Sequence, residues 1–337
     1  MAKLLLERED IDLNRPDKNG LTLLTRAAGQ GHEGVVKLLL RREDIDLNHP
    51  DKNGLTPLTH AVVMGHEGVV KLLLERENVD PNRPDENDLT PLAWAAYQGH
   101  EGVVKLLLRR ENVDPNRPDQ SDRTPLTWAA NQGHEGVAKL LLERESVDPN
   151  CADKDGRPPL AHAANQGHEG VVKLLLEREN VDPNRPDKND LTPLWYAAGQ
   201  GHEGVVKLLL EREYVDPNRP GKGGITLPMF AAIQGHERVI KLLLGQENVD
   251  PNHRENNIHW LLGWAAAQER EEIVKPLEQE NIDPNRPDKN DSTPLGHDAA
   301  KGHGRVAKLL LEQGNTSPNP PGKNDLAPLK SPIVEEA

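Results

Sequence analysis

The stretch Asp51–Pro84, DKNGLTPLTHAVVMGHEGVVKLLLERENVDPNRP, decides the fold, because close copies of it recur every 34 residues from Asp17 almost to the C-terminus. A fixed period of this length is the signature of a repeat architecture, in which each unit buries its apolar face against its neighbours. Aligning the Gly-His pairs at 31–32, 65–66, 99–100, 133–134, 167–168, 201–202, 235–236 and 302–303 gives nine units, the eighth of which (255–287) lacks the pair and is one residue short. Residues 1–16 match the back half of a unit, 17–321 form the array, and 322–337 read as the front of another unit running into a Pro-rich, disordered tail.

Each unit spells out two short helices and a turn. Thr56-Pro57 supplies an N-cap followed by proline at the first helical position, where a missing N–H costs nothing. Leu58, Ala61 and Val62 fall at i, i+3 and i+4, one apolar stripe of a helix A that Gly65 ends about two turns later. The run EGVVKLLLERE carries a second apolar face through Val69, Val70, Leu73 and Leu74, which predicts a helix B. The segment NVDPNRPDKNGL is turn chemistry, forming a hairpin-like finger.

The text T-P-L-x-x-A-A-x-x-G-H-x-x-V-V-K-L-L-L resembles the ankyrin repeat over essentially the whole chain. That resemblance implies an all-α solenoid of about nine repeats with half-repeats at both ends, helices A lining a concave face, helices B a convex one, and fingers projecting toward the concave side. Three departures stand out: the residue after T-P-L is Thr, Ala or larger rather than His, the unit is 34 residues rather than 33, and RENVDPN replaces the usual Gly-Ala turn after helix B. The near-identical 34-residue style looks like arrays of filamentous fungi, where such arrays often form the sensor half of larger receptor-like proteins carrying a nucleoside-triphosphatase core. No such core is present in this sequence.

The repeats give the chain its own internal alignment. Variation concentrates at the positions of Thr59, His60 and Val63, which share one 100° arc of helix A opposite Leu58, Ala61 and Val62. This arc is expected to face away from the core. Its central row reads Arg26, His60, Trp94, Trp128, His162, Tyr196, Phe230, Trp264 and His297, none of them aliphatic. With Tyr97 and Trp195 on the flanking positions, seven of the nine aromatic residues in the protein stand on this stripe. Large aromatics dominate binding hot spots, so the stripe is the expected partner-binding face; the alternative is that bulky residues here only pack adjacent repeats together. Arg123 and Arg157 break the Leu pattern at adjacent fingertips, where they either pair with a carboxylate or are solvated. The eighth unit loses its Thr-Pro cap to Trp260-Leu261 and its Gly-His to Glu269-Arg270, and carries Pro276 inside helix B. It reads as a decayed repeat or as a contact built around His259, Trp260 and Trp264.

Composition narrows the function classes. Net charge is −14, from 55 acidic and 41 basic residues, which disfavours nucleic acid and favours a basic partner. The single cysteine, Cys151, has no intramolecular disulfide partner, and no apolar run reaches the roughly 18 residues of a membrane span, so a reduced, cytoplasmic or nuclear setting is expected. Seven of the eight Gly-His histidines precede Glu, but copies a helix spacing apart cannot converge on one metal ion. They are expected to be structural. The finger DPNRPDKNG lacks a closing Glu for calcium, GKGG at 221–224 lacks phosphate-loop spacing, and Cys151 has no sequence partner for nucleophilic catalysis. The reading is a monomeric, cofactor-free, non-catalytic module that binds another protein or peptide. The two alternatives are a sensor fragment of a larger receptor and a small-molecule or catalytic groove using His60 or His162 as acid–base.

Overall fold

The computed structural model describes residues 12–221 and 225–246, together with Leu261, Trp264 and Ala265. It divides into two compact units, Met1–Lys188 and Asn189–Ala337. Most of the eighth unit, with His259, Trp260 and Pro276, and all of the ninth, with His297, lie outside the described residues.

All fourteen described helices come in A–B pairs, and the described residues contain no strand. In the first unit the pairs are α1 (Leu23–Gly29) and α2 (Glu33–Leu39), α3 (Pro57–Val63) and α4 (Glu67–Leu74), α5 (Pro91–Gln98) and α6 (Glu101–Leu108), α7 (Pro125–Gln132) and α8 (Glu135–Leu142), α9 (Pro159–Gln166) and α10 (Glu169–Leu176). In the second they are α11 (Pro193–Gln200) and α12 (Glu203–Leu210), α13 (Leu227–Ile233) and α14 (Glu237–Leu244). Within each unit every A helix packs on the next A helix, every B on the next B, and each A on its own B. This tandem packing is the all-α repeat architecture implied by the sequence.

The helices start and stop where the residues dictate. Thr56 caps α3 by accepting the Thr59 N–H, with Pro57 at the first helical position, Thr90 and Thr124 do the same for α5 and α7, and Thr22 caps α1 ahead of Leu23. At α9 proline replaces the capping threonine and no side chain caps the helix. Leu58, Ala61 and Val62 on one helix and Val69, Val70 and Leu73 on the other are completely buried, and their counterparts in the other described repeats are buried too, apart from Val35, which is half-buried. Gly99, Gly133 and Gly167 end their A helices in the left-handed region, at φ 75–79°. A Cβ on Gly99 would also lie 2.6 Å from Nδ1 of His134, so two constraints select glycine at this position.

Repeat-to-repeat contacts account for most of the recurring polar residues. The Gly-His histidine donates its Nε2–H to a backbone carbonyl of the preceding repeat: His66 to Gly29 at 3.1 Å, His100 to Val63 at 3.0 Å, His134 to Tyr97 at 2.9 Å, His168 to Asn131 at 3.0 Å, and His236 to Gly199 at 2.8 Å. These histidines are structural staples. The Asn of each D-x-N turn is a second staple. Asn82 donates to the Asn112 carbonyl at 2.6 Å and accepts from the Asp114 N–H at 3.3 Å, a pattern repeated at Asn14, Asn48, Asn116 and Asn150. The turn that departs from the usual Gly-Ala is therefore an inter-repeat clamp. The fingers are laced as well, through Glu86 N–H to the Asn53 carbonyl and Gln120 N–H to the Asn87 carbonyl, both 3.1 Å.

Candidate functional site: the helix-A row

The first residue of each finger organises the row of residues that varies most. Asp119 accepts the Ser121 and Arg123 N–H groups on Oδ1, at 2.8 and 2.9 Å, and this closes the finger turn. Its other oxygen, Oδ2, accepts Nε1–H of Trp128, nine residues on, at 3.1 Å. The same i, i+9 pair recurs in every described repeat of the first unit. Asp85 holds Trp94 at 3.0 Å, Asp51 pairs with His60 Nε2 at 2.9 Å, Asp153 pairs with His162 Nε2 at 2.8 Å, and Asp17 holds the Arg26 guanidinium. The row lacks aliphatic residues because a half-buried or buried carboxylate oxygen there needs an N–H donor.

The seventh repeat carries the exception and its compensation. There the finger residue is Gly221 and the row residue is Phe230, which cannot donate. The finger turn still closes, by Gly221 N–H to the Ile225 carbonyl at 2.9 Å. The space of the missing carboxylate is taken by Trp195. A Cβ on Gly221 would stand 2.8 Å from that ring, Trp195 Nε1 donates to the Arg219 carbonyl at 3.3 Å, and the Trp195 and Phe230 rings meet at 5.3 Å.

These positions correct part of the sequence expectation. Trp195 and His162 are buried, at 4% and 5% exposure, and the Thr59 position is buried in the first five repeats as well, at Thr25, Thr59, Ala93, Thr127 and Ala161, while Met229 of the seventh is half-buried. A helical wheel describes one helix, whereas within each unit the A helices also lie against one another, and a neighbouring A helix covers part of the arc. Trp94, Tyr97, Trp128, Tyr196, Phe230, Trp264 and His60 are half-buried, and Arg26 is exposed. His259 and His297 lie outside the described residues.

Three of the half-buried rings meet across two repeats. Tyr97 stands edge-on to Trp94, with centroids 5.8 Å apart, and edge-on to Trp128 of the next repeat at 5.1 Å. The Arg123 guanidinium lies 5.0 Å from the Trp128 centroid, and its Nε is 4.0 Å from Asp153 Oδ2. Arg157 Nε stands 3.9 Å from Asp187 Oδ2. Both fingertip arginines thus face carboxylates of the following finger.

The titratable groups here do scaffold work. His162 engages Asp153 through Nε2 and Asn131 through Nδ1 at 3.3 Å, so both ring nitrogens are committed. Burial pushes the Asp153 carboxyl up, but the His162 hydrogen bond and the Arg157 and Asp155 N–H groups outweigh it and hold the group below its ordinary value. Burial pushes the Cys151 thiol up to about 11, reinforced by the Asp148 carboxylate that accepts its S–H, so it stays protonated at neutral pH and is a poor nucleophile. No group of three His, Cys, Asp or Glu among the described residues is arranged to hold a metal ion. No described helix is long and apolar enough to cross a membrane.

A family model described as "Ankyrin repeats (3 copies)" matches residues 1–85, 77–153, 145–221 and 224–320. No curated protein matches the chain.

Proposed function

Because the chain belongs to the ankyrin-repeat family, we propose that it is a non-catalytic recognition module that binds another protein or peptide through helices α5 and α7. Ankyrin repeats are generally protein–protein interaction modules. The observation that carries the assignment to this face is the edge-to-face ladder Trp94–Tyr97–Trp128, half-buried on two successive repeats with Arg123 against its end. Scaffold chemistry asks of the row only an N–H donor, which His60 and His162 supply without an indole. The extra aromatic area at Trp94 and Trp128, joined by Tyr97, exceeds that requirement. Rigid aromatic anchors of this kind concentrate binding energy at little entropic cost.

The internal alignment supplies the test. Changing Trp94→His, Tyr97→Asn and Trp128→His gives both repeats the side chains of the fifth, His162 and Asn165, keeping a donor for Asp85 and Asp119 while removing the ladder. The variant is expected to retain its helical circular dichroism and to lose its partner by at least about tenfold in quantitative co-precipitation, the scale of one lost hot spot. A partner retained at full strength by the folded variant would move the working surface elsewhere.

A further inference from the structure

The fingers that flank the ladder differ from the others in a way the scaffold does not require. The tip residue of each described finger adopts a left-handed backbone. In the first, second and fifth repeats it is glycine, at Gly20, Gly54 and Gly156, with φ of 84°, 82° and 86°. In the third, fourth and sixth it is Asp88, Asp122 and Asp190, with φ of 61°, 61° and 65°. Glycine fits that region best and aspartate is one of the few L residues that tolerates it, so the turn is kept in both sets and the difference between them is the added carboxylate. Among the first six repeats the aspartate tips belong to those that carry tryptophan on helix A, Trp94, Trp128 and Trp195, and the glycine tips to those that carry none; the eighth repeat, with Trp264, has Ile258 at this position. The ninth repeat, outside the described residues, has Asp291 with His297.

A second substitution follows the ladder more closely. The residue after the finger aspartate is lysine at Lys18, Lys52, Lys154 and Lys188, but Glu86 and Gln120 in the two ladder repeats. Over the five finger residues, 85–89 carry three carboxylates and no cation and 119–123 carry two carboxylates with Arg123, whereas 51–55 and 153–157 balance their charges. Glu86, Asp88 and Asp122 are all exposed, and their carboxylates have no hydrogen-bond or ion-pair partner among the described residues. They are fixed near the rings. Asp88 N–H bonds the carbonyl of Asp85, whose carboxylate holds Trp94, and Asp122 N–H bonds the carbonyl of Asp119, whose carboxylate holds Trp128. The Gln120 N–H to Asn87 carbonyl bond joins the two fingers into one rim.

Resting on the assignment of the ladder as the working face, we propose that the segment it binds is basic: an extended stretch that lays apolar side chains on Trp94, Tyr97 and Trp128 and places Lys or Arg against Glu86, Asp88 and Asp122. Unpaired carboxylates beside an apolar strip favour a cation there and repel an acidic competitor, the usual division of labour between charge and aromatic anchors.

Two labelled 12-residue probes, one alternating Arg and Leu and the other alternating Glu and Leu, test this by fluorescence anisotropy against the full chain. The Arg–Leu probe is expected to bind and to weaken as salt rises from 0.05 to 0.5 M, while the Glu–Leu probe binds at least about tenfold more weakly. Glu86→Lys with Asp88→Gly and Asp122→Gly adopts residues already present at other fingertips, so the fold is kept, and Arg–Leu binding is expected to fall by about tenfold or more. Failure of the Arg–Leu probe to bind the wild-type chain, or equal binding by this variant, would overturn the proposal. The ladder variant separates the two readings. Loss of Glu–Leu binding on removing the rings would leave the ladder as the working face and remove its basic partner. Arg–Leu binding that depends on the carboxylates but not on the rings would instead count against the ladder itself, and with it the proposal.

Discussion

The fourth and seventh repeats close the same finger turn and hold it by different means. In the fourth, Asp119 ties two finger amides and the Trp128 indole to one carboxylate. In the seventh, Gly221 leaves that place to the Trp195 ring, and Phe230 occupies the row with nothing to donate. The row residue therefore follows the finger residue. Its identity reports first on what the carboxylate nine residues earlier requires, and only the surplus beyond a donor is free to serve a partner.

The largest expected effect comes from forcing the fourth repeat's solution on the seventh. Gly221→Asp brings a Cβ to within 2.8 Å of the buried Trp195 ring and should cost about 1–3 kcal/mol by overpacking. Adding Trp195→Ala with Phe230→His, which supplies space and a donor, should recover part of that loss relative to Trp195→Ala and Phe230→His without the aspartate. Urea midpoints across the set decide it; a Gly221→Asp variant as stable as the parent would show that the two solutions are not alternatives.

A smaller effect sharpens the comparison through pH. Asp153 has its carboxyl held below the ordinary value by His162 and backbone N–H groups, against the opposing push of burial. A depressed folded value means that its stabilisation is fully present above the unfolded value of about 3.9 and is lost as pH falls through the folded one. Asp153→Asn should lower stability at neutral pH and flatten part of the acid limb below about pH 4. Urea unfolding between pH 2 and 6 measures this, and parallel curves for the two proteins would remove Asp153 from the acid response.

Much of the fold was legible because its signals are local and repeated. The Thr-Pro caps, the two apolar stripes and the glycine stops all form the elements that their residues predict. The row was visible too, as a position without aliphatic residues. What went unread was the reason, although the sequence held it: a carboxylate, Asp in every case but Glu255 before Trp264, stands nine residues before each N–H donor, and the one glycine there precedes the one phenylalanine. Trp195 was misjudged for another cause. Its burial comes from a neighbouring helix and from Gly221, 26 residues away, which no single-helix pattern contains. The ladder likewise depends on Tyr97 reaching Trp128 of the next repeat, a distance set by packing rather than by spacing in the chain.

The most direct test of the central claim converts the fourth repeat's pair into the seventh's. A double-mutant cycle with Asp119→Gly and Trp128→Phe, followed by urea denaturation, isolates the energy that the two side chains share. A coupling of about 1–3 kcal/mol is expected, since each single variant leaves a buried polar group without its partner. Single effects that simply add would contradict the account and return the tryptophan row to the surface as free anchors.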